Sequence, residues 1–174
     1  MNAIELFSHL SNILTVIAFL FAAYQFFLWR KQQRYSLELD SILNMEDLFE
    51  IYIGSLMRAH GYFDKAQKLA VEAHGKSKEE RHELNKYLKN EFKLLIEQNN
   101  QEINDNANKY GLACFRVKRL DYDIDKIEEL DSMWIRDRFQ SFLIDKTSLE
   151  DVAQEISRIK TVARDEFNKL RKVK

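Results

Sequence analysis

From Leu10 to Trp29 the chain reads LSNILTVIAFLFAAYQFFLW, twenty residues without a charge. As a helix, a run of that length covers the ~30 Å hydrocarbon core of a bilayer and satisfies its own backbone hydrogen bonds there. Tyr24 and Trp29 lie towards one end, where amphipathic rings favour the membrane interface. The rest of the chain must then fold around a segment that lipid suits better than water.

Charge placement gives this segment a direction. Residues 1–29 contain no Lys or Arg and a single acid, Glu5, whereas Arg30, Lys31 and Arg34 follow at once. Basic residues on one flank alone predict an N-terminus outside and a C-terminal part in the cytoplasm. A cleaved signal peptide fits poorly, because the first residues lack a positive charge and the run ends in Trp29-Arg30-Lys31 rather than in small residues. The expected layout is an extracytoplasmic N-terminus over 1–9, a transmembrane helix over 10–29, a stalk and first bundle helix over 30–60, and the remaining cytoplasmic helices over 61–174. A bacterial inner membrane is the expected setting.

Within the run, Ser11, Thr15, Ala18, Ala22, Gln25 and Trp29 alternate steps of four and three, and Ser8 and Gln32 extend the pattern. Such a seam of small and polar residues lets helices in lipid approach closely and exchange hydrogen bonds. Gln25 has the strongest demand for a partner, since an unpaired amide is costly in hydrocarbon. The seam Ser11, Thr15, Ala18, Ala22 and Gln25 is therefore the candidate site for association, with a second copy or with another membrane protein.

Beyond Trp29 the chain has no proline and only four glycines, which points to long helices joined by short turns. About 140 residues can bury one modest core. Leu39, Ile42, Phe49, Ile53 and Leu56 keep helical spacing and predict a central helix that continues the membrane segment. His60-Gly61 is the first expected turn, followed by a short helix to Ala73 that Gly75 ends. Ser77 with Glu80 forms a capping box for a helix to about Lys109, closed by Gly111. Leu112–Leu120 is ambiguous between a short helix and an extended crossing. A helix is expected over roughly Tyr122–Ile144, and Thr147 with Glu150 opens the last one. There Val152, Ile156, Ile159, Ala163, Phe167 and Leu170 hold steps of three and four. The fold class is all-α, one N-terminal transmembrane helix continuing into a cytoplasmic helical bundle.

Chemistry is sparse. His9, His60, His74 and His82 do not form a two-turn pair of metal ligands. Cys114 is alone and reads as a small core residue. Asp121, Asp123 and Asp125 open like a calcium loop, but Lys126 stands where the turn requires glycine and Ser132 where a bidentate Glu is required. These acids read instead as favouring a helix start. An Arg and a later His separated by four to six residues, the mark of HEPN-type ribonucleases, do not occur. No cofactor is expected. From Arg30 onward lie all 27 Lys and Arg and every acid but Glu5, without the basic excess of a nucleic-acid binder.

The expected function is accordingly non-enzymatic: a single-span, membrane-anchored helical domain that scaffolds, senses or docks a cytoplasmic protein. The alternative is a membrane effector or toxin that perturbs the bilayer through oligomerisation of its span. The layout is similar in architecture to small single-span bacterial proteins, including membrane effectors of anti-phage defence.

Overall fold

The computed structural model describes residues 3–172, apart from the side chains of residues 3–6, 8 and 91. All regular structure among them is helical. Helix α1 runs Ala3–Ala73, α2 Lys78–Tyr87, α3 Lys93–Lys118, α4 Ser132–Ile144 and α5 Leu149–Lys172. A π-helical turn over Leu88–Phe92 joins α2 to α3 without a break. The chain falls into two units, Met1–Asp40 and Ser41–Lys174.

In the first unit, α1 turns its apolar side chains outward. Phe19 is 72% exposed, Phe21 62% and Phe27 66%. This part of α1 is long and apolar enough to cross a membrane. Arg34 Nε donates to Glu38 Oε1 at 2.9 Å, one turn on.

The second unit has one apolar core, drawn from α1, α3, α4, α5 and the segment before α4. Ile42, Met45, Phe49, Tyr52, Ile53 and Leu56 present one face of α1 to it, following the 3.6-residue period. The predicted stripe of α5, Val152 through Leu170, is buried at every one of its six positions. Phe49 meets Tyr110 of α3 at a ring distance of 5.7 Å, and Tyr52 stacks on Tyr110 at 6.0 Å. Both phenols find acceptors in the backbone before and at the start of α4: Tyr110 donates to the Leu130 carbonyl at 2.7 Å and Tyr52 to that of Ser132 at 3.1 Å. Those bonds matter because a buried hydroxyl left unpaired costs about 1–3 kcal/mol. A smaller cluster sets Phe92, buried in the π-helical turn, against Tyr62 and Tyr87.

Several boundaries differ from expectation, each for a local reason. The chain does not turn at His60-Gly61; α1 continues to Ala73. A lone glycine weakens a helix by only ~1 kcal/mol relative to alanine, which the buried face of α1 up to His60 exceeds. Gly111 is likewise interior to α3, so Leu112–Lys118 is helix rather than a crossing. None of the glycines has a positive φ.

The segment Tyr122–Asp131 is not helical beyond a 3₁₀ turn at Glu128–Leu130. The chain leaves α3 through Asp121, whose φ is +66°. Asp131, not the earlier acids, caps α4: its Oδ1 accepts from the amides of Met133 and Trp134 at 2.8 Å. Asp125 pairs with Lys118, and Asp123 with Lys126 at 2.6 Å, so both acids belong to the connection rather than to a helix start. α4 ends with Lys146 at φ +53° and with the Thr147 amide bonded to the Phe142 carbonyl at 3.0 Å. That is a Schellman closure, and it takes Thr147 out of the capping role. Ser148 caps α5 instead, with Oγ accepting from Asp151 N at 3.1 Å. The Ser77–Glu80 capping box forms as predicted.

Candidate functional site

The five seam residues are all exposed on α1. Thr15 Oγ1 donates to the Ser11 carbonyl at 2.8 Å, so its proton is spent within the helix. Gln25 is the seam residue whose amide keeps its full bonding capacity among the described residues. Ser8 belongs to the same row, but its side chain lies outside the described residues. Of the topology residues, Arg30 and Lys31 are exposed, while Arg34 shares its charge with Glu38. At the other end of the chain, Arg171 pairs with Glu46 and Lys169 with Glu166.

A second arrangement lies wholly within residues 41–174. Phe49, Ile53, Leu56 and His60 follow one another in α1 at steps of four, three and four, which keeps them on one face. His60 thereby enters the interior and is 3% exposed. It lines a cavity of about 260 Å³ with Leu56, Asn100, Ile103, Arg136, Phe139 and Gln140 among its neighbours. The three helices α1, α3 and α4 each supply part of the wall. Arg58 pairs with Glu102 across α1 and α3, and Arg136 Nη2 donates to Asn104 Oδ1 at 3.1 Å across α3 and α4.

The electrostatics of this cavity are unbalanced. Neither ring nitrogen of His60 has a hydrogen-bond partner among the described residues. Burial pushes the imidazole below its usual value, against a weaker upward pull from Asp64, so the ring is neutral at pH 7. Arg136 adds a positive charge at the wall, and none of the lining residues is acidic.

The other histidines, His9, His74 and His82, are exposed. Cys114 is buried, and burial raises its thiol to about 11 against a lesser opposing effect of the adjoining Tyr110 hydroxyl. A thiol of that kind is a poor nucleophile. The cavity that Cys114 lines with Lys118, Asp125 and Asp131 measures about 190 Å³. Sequence reasoning missed the cluster of His60, Asn100, Arg136 and Gln140, because an expected turn at His60 hid the continuation of the α1 stripe.

No family model, no curated protein and no solved structure matches this chain.

Proposed function

We propose that residues 10–29 cross a membrane and tether a helical bundle that docks a cytoplasmic protein. The observation that carries this reading is a contrast of surfaces. The unit from Ser41 closes its core around Tyr52, Tyr110 and Phe167, whereas the apolar side chains of residues 10–29 are open on the helix. An apolar surface of that extent is unstable in water and marks contact with lipid or protein. Arg30 and Lys31, exposed at its C-terminal end, favour a cytoplasmic position for the helices beyond them. Ala18, Ala22 and Gln25 offer a face on which the span associates with a second helix.

Expression of the full chain in a bacterium, with growth and membrane potential recorded together, tests the docking reading against the effector reading. Docking predicts normal growth and an intact potential. Growth arrest with depolarisation, relieved by Ala18→Leu with Ala22→Leu, contradicts docking and favours an effector that acts by oligomerisation.

A further inference from the structure

We propose that the cavity around His60 binds a small carboxylic acid with an apolar body, its carboxylate held by Arg136 and His60 and its body by Leu56, Ile103 and Phe139. The inference is independent of the membrane reading, since every residue it uses lies in the unit that begins at Ser41.

Size comes first. A cavity of about 260 Å³ is smaller than the ~300–1,000 Å³ sites of drug-sized ligands, so the ligand is small. The wall then sets its chemistry. Leu56, Ile103, Phe139 and Leu143 form an apolar surface, which suits a hydrocarbon body. Arg136 is the charged group of the lining, and no carboxylate of the described residues forms an ion pair with it. A guanidinium beside a sheltered apolar surface favours an anion. One cation on an otherwise uncharged wall matches a monoanion better than a phosphate dianion.

His60 supplies the second contact. The residue is 3% exposed and lines the cavity, and both ring nitrogens are unpaired among the described residues. Buried polar groups are almost always bonded, and an exception points to a missing partner. Both nitrogens are closed off as the ring stands, so the ring turns towards the cavity for a carboxylate oxygen to accept its N–H. The amides of Asn100 and Gln140, exposed at the mouth, are placed to select among acids that carry a further polar group.

The test titrates the full chain in lipid nanodiscs with phenylacetate and, separately, with the smaller 3-methylbutanoate. The ring nitrogen NMR shifts of His60, assigned by their loss in His60→Gln, are the readout. Saturable shifts are expected with at least one acid. Affinity should fall about tenfold or more in Arg136→Gln, and by as much for 2-phenylethanol in place of phenylacetate. Arg136 is exposed, so its replacement spares the core; unchanged helical circular dichroism and melting confirm that the fold persists. The absence of saturable shifts with both acids overturns the proposal. So does an affinity that is equal for the alcohol or indifferent to Arg136→Gln. Tighter binding of N-acetylglycylphenylalanine than of either acid also overturns it, because the ligand would then be a polypeptide C-terminus.

Discussion

The ring of Phe167 in α5 meets that of Phe49 in α1 edge-on, with centroids 5.8 Å apart and planes at 73°. The two residues are 1% exposed and join the first and last helices of the unit that begins at Ser41. Aromatic pairs in this geometry contribute beyond the area they bury. The ion pairs that also link these helices, Glu50 with Lys160 and Glu46 with Arg171, stand nearer the surface, where each contributes only ~0–1 kcal/mol.

Phe167→Ala therefore removes a contact on which docking of α5 depends. In a fragment that starts at Tyr35 and retains the α1 segment, it should cost about 3–5 kcal/mol. Thermal unfolding should show Tm lowered by roughly 10–17 °C. Lys172→Ala, at an exposed position, should change Tm little. Equal effects would mean that α5 is not packed as described.

Cys114 yields a prediction with a definite sign. Its thiol sits at about 11 when folded against an ordinary value of 9.0. At pH 8 the folded protein should react with iodoacetamide about a hundredfold more slowly than the unfolded chain, from the thiolate fraction alone. The same shift makes stability depend on pH. Below pH 9 both states keep the proton and the contribution is whole. As pH rises from 9 towards 11 the unfolded thiol ionises first, and stability falls. Cys114→Ala should make that part of the curve measured by urea unfolding shallower, while Tyr52 and Tyr110, also raised by burial, keep part of its slope. Fast labelling of the folded protein would place Cys114 at the surface.

The seam on the apolar part of α1 predicts its own hierarchy. Thr15 already bonds to the Ser11 carbonyl, so Thr15→Val should leave association of the isolated span unchanged. Ala18→Leu with Ala22→Leu separates the backbones and should abolish it. Gln25→Leu should weaken it by about 0.6–2 kcal/mol. Phe21→Leu, off the seam, serves as control. Association that survives the alanine double substitution would leave the spacing without a role.

The features legible in the sequence are those that rest on periodicity. The α5 stripe repeats regularly over six positions and is buried at each of them. The Ser77–Glu80 box is a short-range signal, and it forms. Boundaries that depend on competition between local and tertiary terms were not legible. Gly61 and Gly111 look like stops, yet the packing around them outweighs their modest cost to a helix. Thr147 and Ser148 are adjacent candidates for one cap, and the Schellman closure after α4 decides between them. The His60 cavity escaped for a related reason. The steps from Phe49 through Ile53 and Leu56 to His60 are present in the sequence, but Arg136 and Gln140 join them only through packing of α4.

The proposed crossing of residues 10–29, with the C-terminal unit in the cytoplasm, makes two demands. Sealed inverted vesicles of the bacterial inner membrane, one portion extracted with alkaline carbonate and another exposed to protease, test both together. After carbonate the chain should stay in the membrane pellet, and in the sealed portion protease should remove a C-terminal epitope while leaving the apolar segment in the membrane. Recovery of the intact chain in the carbonate supernatant, or an epitope protected in sealed inverted vesicles, would contradict it.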